Sequence, residues 1–273
     1  MGQGQTLSIH PTAIVSPSAR LEEGVQIGPY SVIGDEVMID EGSVLGPHVV
    51  IEGPTVVGKR NHIIGQCAIG TIPQDRKFKG ERTTLTIGDD NVIREFVTIN
   101  RGTSGGGAST TIGDGNLLMT GVHVAHDCHV GHRTILANSA TLAGHVEIHD
   151  DSTVGAFSGV HQECRVGIHA FIGGYSVITR DALPFVKTVG YRNQARIYGV
   201  NRLGLERCNF SPGRIESLSR AYRWLFKKGL KLQEAVEAIE KDGIQTEDVT
   251  TLIEFAQSSA RGFVRNESPS QKE

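Results

Sequence analysis

An aliphatic side chain recurs every six residues through the first two-thirds of this chain. A helix repeats every 3.6 residues and an alternating strand every two, so neither produces a period of six over such a length. After one gap the period returns at Ile87, Ile93 and Ile99, and it runs one residue out of register from Ile112 to Ile178. The first run is unbroken and comprises Ile9, Val15, Leu21, Ile27, Ile33, Ile39, Leu45, Ile51, Val57, Ile63 and Ile69.

A triangular coil does produce this period. Each hexad would form one short strand and a corner, about three hexads would complete a turn, and the aliphatic side chains would stack inward, with coils about 4.8 Å apart. The predicted fold class is therefore a β-solenoid, a parallel β-helix of hexapeptide repeats. Glycine often follows the aliphatic residue, as at Gly28, Gly34, Gly46 and Gly58. We expect these glycines to supply the backbone freedom that the corners need.

Two gaps interrupt the period, and each is about as long as one coil. The first runs from Gly70 to Thr86, and the second, from Arg101 to Thr111, contains three consecutive glycines. Loops extruded from a solenoid gather on one face and build binding surface. We therefore expect both gaps to contribute to a functional site.

Helical signals follow the end of the period near Pro184 and an irregular stretch. Ser211 before Pro212 predicts the cap and first residue of a helix. A second helix is predicted over residues 232–241, and Thr246 predicts the start of a third. The predicted organisation is a β-helix over residues 1–190, a small α-helical C-terminal domain over 191–265, and a disordered tail over 266–273.

Composition excludes several classes of function. Charged residues make up 21% of the 273 residues and the formal net charge is −3, so nothing suggests nucleic-acid binding. No apolar run approaches the ~20 residues of a membrane span, and no stretch resembles a signal peptide. The four cysteines contain no C-x-x-C pair. They are typical of reduced thiols in a soluble intracellular protein.

His123, His126 and Asp127 concentrate ionisable groups within five residues of an otherwise apolar, glycine-rich region. An imidazole is a natural general base, because its unperturbed pKa of about 6.5 lies near working pH. A neighbouring carboxylate can fix the tautomer of the imidazole and stabilise the imidazolium that forms. This cluster is the candidate catalytic centre.

His145 and His161 follow at spacings close to one coil, so we expect them to lie on the same face as His126. Gly144, directly before His145, could direct a bare backbone N–H at a developing oxyanion. Such a set suits acyl transfer. The base deprotonates a hydroxyl, the alkoxide attacks a thioester, and the amide stabilises the tetrahedral oxyanion.

Three segments near this cluster resemble a known family. They are Asn-Leu-Leu-Met at 116–119, His-Val-Ala-His-Asp-Cys at 123–128, and Leu-Ala-Asn-Ser-Ala-Thr-Leu-Ala-Gly-His at 136–145. With His-Pro-Thr-Ala at 10–13 and Tyr-Gly-Val-Asn at 198–201, they resemble the UDP-N-acetylglucosamine O-acyltransferases, which begin lipid A biosynthesis. The likeness covers nearly the whole chain. The hexads alone would indicate only a broad superfamily of acyltransferases.

The resemblance implies a homotrimer of left-handed β-helices with active sites in clefts between subunits. It implies transfer of an R-3-hydroxyacyl chain from acyl carrier protein to the 3-hydroxyl of UDP-N-acetylglucosamine, with no cofactor and no metal ion. His126 matches the general base of the family, Asp127 its supporting carboxylate, and Gly144 the oxyanion donor.

The other family positions implied for this chain hold substrate or shape the site. Gly174 matches the glycine that closes the groove for a long acyl chain. The remaining substrate-binding positions are Gln74, Asp75, Lys77, His123 and His145 at the sugar end, and His161, Gln162, Asn201 and Arg207 toward the nucleotide.

Three residues depart from the family pattern. Asn100 stands where a histidine is usual, Leu203 where a glutamate is usual, and Cys208 where an arginine is usual. The last two belong to the nucleotide end, so the departures indicate altered nucleotide contacts and leave the acyl-transfer residues intact. The expected location is intracellular: the cytoplasm for a bacterial protein, or the mitochondrion for a plant member whose transit peptide has been removed.

Two other functions are compatible with parts of this sequence. Gamma-class carbonic anhydrases share the hexad prism and bind zinc through histidines, and His123, His126, His129 and His132 recur every three residues. Positions three apart occupy different places in a hexad, however, and positions six apart lie on different faces, so the four cannot all reach one ion. A non-catalytic scaffold is the third possibility, and it gives no reason for the pairing of His126 with Asp127.

Overall fold

The computed structural model describes residues 6–265, which form a left-handed parallel β-helix followed by four α-helices. The tail predicted to be disordered, 266–273, lies outside the described residues. In chain order the strands are β1 (Ser8–Ile9), β2 (Ile14–Val15), β3 (Arg20–Leu21), β4 (Gln26–Ile27), β5 (Val32–Ile33), β6 (Val37–Ile39), β7 (Val44–Leu45), β8 (Val50–Ile51), β9 (Thr55–Val57), β10 (His62–Ile63), β11 (Ala68–Thr71), β12 (Thr84–Ile87), β13 (Val92–Ile93), β14 (Thr98–Asn100), β15 (Ser109–Ile112), β16 (Leu117–Leu118), β17 (His123–Val124), β18 (His129–Val130), β19 (Ile135–Leu136), β20 (Thr141–Leu142), β21 (Glu147–Ile148), β22 (Thr153–Val154), β23 (Gly159–Val160), β24 (Arg165–Val166), β25 (Phe171–Ile172), β26 (Val177–Ile178), β27 (Val186–Val189) and β28 (Arg196–Val200).

Every third strand of the coil belongs to the same sheet, which gives a three-sided prism. Sheet A begins β1-β4-β7 and ends β25-β27-β28, sheet B runs from β2 to β26, and sheet C runs from β3 to β24. Leu45 pairs in parallel with Ile27 on one side and Ile63 on the other, and all three side chains are buried. The predicted stack of inward aliphatic residues is therefore confirmed. We name the bends after the sheets they join: the A/B, B/C and C/A corners.

The two gaps are loops extruded from coils, as predicted, but each inserts fewer residues than the one coil expected. A buried ladder shows this, because Asn61 Oδ1 accepts from the N–H of Asn91, 30 residues on, and Asn91 Oδ1 from that of Asn116, 25 residues on. The next rung, Asn116 to Thr134, has the regular spacing of 18. Both loops leave the prism at the B/C corner, between β11 and β12 and between β14 and β15.

The corners do not depend on glycine in the way that the sequence suggested. Asp127, His145 and Glu163 turn successive B/C corners with left-handed φ values of 59°, 62° and 60°. Gly28 and Gly46 have no such φ. A Cβ on Gly28 would lie 2.6 Å from the Gly46 carbonyl carbon, and one on Gly46 would overlap the Ile64 carbonyl oxygen. These glycines are therefore required because successive coils approach closely there.

The stretch after Pro184 is more regular than predicted. β27 continues sheet A in parallel with β25, and β28 then pairs antiparallel with β27. The helices that follow are α1 (Arg202–Arg207), α2 (Pro212–Lys227), α3 (Leu232–Lys241) and α4 (Glu247–Gln257). The last three were predicted, and the caps at Ser211 and Thr246 accept backbone N–H groups as expected. The short α1 was missed. The domain boundary at residue 190 stays a prediction.

Within residues 6–265, no helix is both long and apolar enough to cross a membrane. The four cysteines are free thiols. Cys67, Cys128 and Cys164 are buried in the prism, whereas Cys208 is exposed.

Candidate active site

The B/C corner stacks the candidate catalytic residues of successive coils. β17 pairs with β20 and β20 with β23, so that residue 126 lies beside residue 144 and residue 144 beside residue 162. The two loops leave the same corner on the two preceding coils. We call them loop 1 (residues 72–83) and loop 2 (residues 101–108). The prediction that both loops contribute to one surface is therefore supported by their common origin.

His126 is held by the carboxylate that follows it in sequence. Its Nδ1 lies 2.8 Å from Oδ2 of Asp127, and its side chain is 14% exposed while that of Asp127 is fully buried. A carboxylate can only accept here, so Nδ1 carries the hydrogen. The lone pair is then on Nε2, as a general base requires.

Asp127 is itself fixed by loop 2. Its Oδ1 accepts from the backbone N–H of Thr103 at 2.8 Å and its Oδ2 from the Thr103 hydroxyl at 2.6 Å. The N–H of Asp127 donates to Thr110 Oγ1 at 2.8 Å. A buried charge is tolerated when its lone pairs are hydrogen-bonded, so these contacts stabilise the ionised carboxylate. The sequence analysis assigned no role to Thr103, which lies in a loop expected to build the site.

Gly144 packs directly against the imidazole of His126. A Cβ on Gly144 would lie 2.6 Å from Cε1 and 2.8 Å from Nε2 of His126, so a side chain would displace the base. The neighbouring N–H of His145 donates to the His126 carbonyl. Within the described residues the N–H of Gly144 makes no hydrogen bond, and it is available to an oxyanion beside the base.

Two further histidines flank this pair. The His145 ring meets that of His126 edge to face at a centroid separation of 5.1 Å, and its Nδ1 lies 3.9 Å from Oδ2 of Asp127. His123, on β17, places Nδ1 2.7 Å from Thr98 Oγ1. Burial, helped by the charge of nearby His126, lowers the pKa of His123, so its neutral form is favoured near neutral pH.

The two loops and the corner together form an open cleft. The predicted residues Asp75 and Lys77 from loop 1 line it together with His145, whereas Gln74 is not among the lining residues. The other lining residues, which sequence reasoning missed, are Phe78, Glu81, Thr103, Ser104, Gly105 and Glu163.

Glu81 ties loop 1 to loop 2. Its Oε1 accepts from the N–H and the hydroxyl of Ser104, and its Oε2 accepts from the N–H of Lys79. The hydrogen bond from Lys79 is the main cause that lowers the pKa of Glu81 to about 2. Loop 1 is thereby connected, through the residue after Thr103, to the carboxylate that holds His126.

Comparisons with known proteins agree on one family. Acyl-[acyl-carrier-protein]–UDP-N-acetylglucosamine O-acyltransferase of Xylella fastidiosa is 51% identical over 94% of this chain and 97% of the relative. Its counterpart in Alkalilimnicola ehrlichii is 49% identical over 94% of this chain and 99% of the relative. This chain belongs to the UDP-N-acetylglucosamine O-acyltransferase family.

Structures and family models support the assignment to these acyltransferases. LpxA of Acinetobacter baumannii superposes with a TM-score of 0.90 at 42% identity, covering 94% of this chain and 99% of that one. The UDP-N-acetylglucosamine acyltransferase of Arabidopsis gives 0.82 at 32%, covering 94% and 100%. The model for domain 2 of Udp N-acetylglucosamine O-acyltransferase matches residues 181–264, and the bacterial transferase hexapeptide model matches 18–53 and 109–144.

His161 and Gln162 lie one coil beyond Gly144 at the B/C corner. Nδ1 of His161 is 3.5 Å from Nη2 of Arg261. The other terminal nitrogen of this guanidinium, Nη1, donates to Oε2 of Glu163 at 3.0 Å. His161 is therefore on the predicted face, next to a segment that follows α4. Of the three predicted imidazoles, His126 and His145 are the pair in direct ring contact.

The remaining site residues that the acyltransferase family implies lie elsewhere on this chain. Asn201 and Arg207 line a cleft at the C/A corner, together with Leu203 and Cys208. Gly174 lies at the A/B corner between β25 and β26, beside Tyr175. Gly174 and His161 therefore occupy different corners of the prism.

Asn100, one of the departures from the acyltransferase pattern, supports loop 1. Its buried Nδ2 donates to Thr71 Oγ1 at 2.9 Å and to the Ile72 carbonyl at 3.0 Å. The residue therefore fixes the point where loop 1 leaves β11.

The four histidines spaced by three do not converge. His129 hydrogen-bonds Thr111 at 2.8 Å on sheet C, and His132 lies 3.1 Å from a carboxylate oxygen of Asp114. Among the described residues, two groups bring three metal-ligating atoms within 4.8 Å of one another: His126, Asp127 and His145, and a second group of Asp151, His169 and Cys208. In the first group, the carboxylate of Asp127 already accepts hydrogen bonds from His126 and Thr103.

Proposed function

We propose that this chain transfers an R-3-hydroxyacyl group from acyl carrier protein to the 3-hydroxyl of UDP-N-acetylglucosamine, with His126 as general base. The observation that carries the proposal is the imidazole of His126, held at Nδ1 by Asp127 and packed at Nε2 against Gly144. The curated relatives from Xylella fastidiosa and Alkalilimnicola ehrlichii are named for an acyltransferase that uses these two substrates.

The proposed reaction moves one proton out and back through His126. Nε2 takes the proton of the sugar hydroxyl as the hydroxyl oxygen attacks the thioester carbonyl, and Asp127 stabilises the imidazolium. The N–H of Gly144 stabilises the tetrahedral oxyanion. When the oxyanion collapses, the C–S bond breaks and the imidazolium returns its proton to the departing thiolate.

Loop 1 is the proposed sugar-binding element. Asp75 and Lys77 line the cleft together with His145, and Asp75 Oδ1 accepts a hydrogen bond from the backbone N–H of Lys77 at 2.9 Å. Hydrogen bonds from such groups can orient a sugar hydroxyl toward His126. The tie between Glu81 and Ser104 keeps this loop against the catalytic corner.

A homotrimer is proposed because one chain does not bring the implied site residues together. His126 is at the B/C corner, Gly174 at the A/B corner, and Arg207 in the C/A cleft. A closed ring of identical copies would set one corner of each subunit against a different corner of its neighbour. Exposed aromatic side chains at the A/B corner, Phe157 and Tyr175, which stack at 5.2 Å, suit such a contact.

The activity is tested by incubating the purified chain with UDP-N-acetylglucosamine and hydroxyacyl carrier proteins of several chain lengths, followed by mass analysis. The expected product is heavier by one hydroxyacyl group, with a preference for long chains. A product acylated at an amine, or no acylated sugar nucleotide with any carrier, would contradict the proposal.

Since the curated relatives named above are bacterial, we propose the cytoplasm as the location of this protein.

A further inference from the structure

A second group of metal-ligating side chains lies at the C/A corner, away from His126. Asp151 and His169 occupy equivalent places on consecutive coils, between β21 and β22 and between β24 and β25. Cys208 is the C-terminal cap of α1 and brings a thiol to the same place. One ligand atom from each of the three residues lies within 4.8 Å of the others.

His169 is the best-defined member of this group. It is 9% exposed, and its ring packs against Phe185 and Phe210 at centroid separations of 5.8 and 4.9 Å. Neither ring nitrogen hydrogen-bonds to any residue in the described part of the chain, although Nε2 faces Oδ2 of Asp151 at 3.9 Å. His169 lines the C/A cleft together with Asp151 and Cys208, so a ring nitrogen can reach an ion bound there.

We propose that Asp151, His169 and Cys208 bind one borderline-soft divalent cation of the Zn²⁺ class. A carboxylate oxygen, an imidazole nitrogen and a thiolate are accepted zinc ligands, and three protein ligands leave a fourth position for water. Bonds of about 2.0–2.3 Å place tetrahedral ligand atoms about 3.3–3.8 Å apart. The distance between His169 and Asp151 is close to this already, and the exposed Cys208 can approach by rotation of its side chain.

Arg133 is the competitor for this site. Its Nε and Nη2 each donate to an oxygen of Asp151 at 2.8 Å. A cation must share Oδ2 with the guanidinium or displace it, and the positive charge of Arg133 opposes binding. Removal of this charge should therefore strengthen the binding of the cation, which a purely structural role for the three residues does not predict.

Cobalt binding tests the proposal directly and without reference to catalysis. The full chain, stripped of metal with a chelator, is titrated with Co²⁺ while the near-ultraviolet absorption of a thiolate–cobalt bond is followed. The expected result is one equivalent bound per chain, with displacement by Zn²⁺. Cys208→Ser should abolish the band, Asp151→Asn should weaken binding by at least tenfold, and Arg133→Gln should tighten it several-fold.

The controls separate this site from the rest of the molecule. Cys67, Cys128 and Cys164 remain in Cys208→Ser, so a band that persists in that variant overturns the assignment. His126→Ala removes the other possible metal group and should leave the band unchanged. The absence of a thiolate–cobalt band in the unaltered chain, or unchanged affinity in Arg133→Gln together with Asp151→Asn, also overturns the proposal. Thermal melts verify that each variant is folded.

Discussion

At the scale of single residues, the site depends on one imidazole whose two nitrogens have different surroundings. Nδ1 of His126 is bound to a buried carboxylate, and Nε2 lies against a glycine that cannot carry a side chain. The sequence predicted His126, Asp127 and Gly144 because they are adjacent or one coil apart. It could not predict Thr103, since the contact between Thr103 and Asp127 crosses a loop whose conformation has no period.

We expect His126→Ala to lower kcat at least ~10²-fold, the usual effect of losing a general base. Steady-state kinetics with a saturating carrier-bound substrate measures this. His129→Ala is the matched control, because His129 is exposed on sheet C and bonds Thr111, and its kcat should be near normal. A normal kcat in His126→Ala would remove His126 from the mechanism.

Thr103→Val should lower kcat by about 10- to 100-fold while KM for the sugar nucleotide changes little. The substitution removes the hydroxyl that donates to Oδ2 of Asp127 and keeps the backbone N–H that donates to Oδ1. A hydrogen bond to a charged group contributes about 1.5–3 kcal/mol, and each 1.36 kcal/mol is a factor of ten in rate. Thr103→Ser keeps the hydroxyl and should restore the rate. Equal losses in the two variants would instead indicate a packing role.

At the scale of elements, the hexads predicted the prism, and capping residues predicted α2, α3 and α4. The lengths of the two loops were misjudged because the sequence shows where a period stops and not which strands pair across the gap. β27, β28 and α1 were missed because they carry no repeat. The glycine prediction was wrong for a related reason: the clash that excludes a Cβ at Gly46 comes from the next coil.

Gly174→Met tests whether the A/B corner sets the length of the acyl chain. Gly174 has no left-handed φ, and a Cβ there would be 3.3 Å from the Ala156 carbonyl oxygen, so a side chain requires only a small adjustment. Coils are about 4.8 Å apart and each buried methylene contributes ~0.8 kcal/mol. The preferred chain should therefore shorten by about four methylenes. Competition between carriers of different length measures this, and an unchanged profile in a folded, active variant would place the stop elsewhere.

At the scale of the whole molecule, the implied site residues are divided among three corners. The sequence could predict each residue but not this division. A spacing of about 18 residues shows which residues stack at one corner of the prism, and it does not show which corners meet in an assembly. Within one chain, Arg207 lies in the cleft at the C/A corner and His126 lies at the B/C corner. This is the reason for proposing that neighbouring subunits complete each site.

Co-expressed subunits carrying His126→Ala and Arg207→Ala should recover activity that neither variant has alone. If each site takes His126 from one subunit and Arg207 from the next, random mixing leaves about one quarter of the sites intact. Initial rates of the co-purified mixture, compared with each variant alone, measure the recovery. A mixture no more active than the average of its parts would show that both residues act within one subunit.

The antiparallel strand β28 has a consequence for how these molecules behave when concentrated. Each coil is a template for the next, so a prism with two open ends could in principle lengthen end to end into a fibre. On sheet A the parallel stacking of strands stops at β27, because β28 runs in the opposite direction and α2 packs against β28. The first strand of a second molecule would meet an edge strand, β28, that runs in the opposite direction to the other strands of sheet A. Since growth of a filament requires two compatible ends, closure of this end opposes end-to-end stacking of one prism on another.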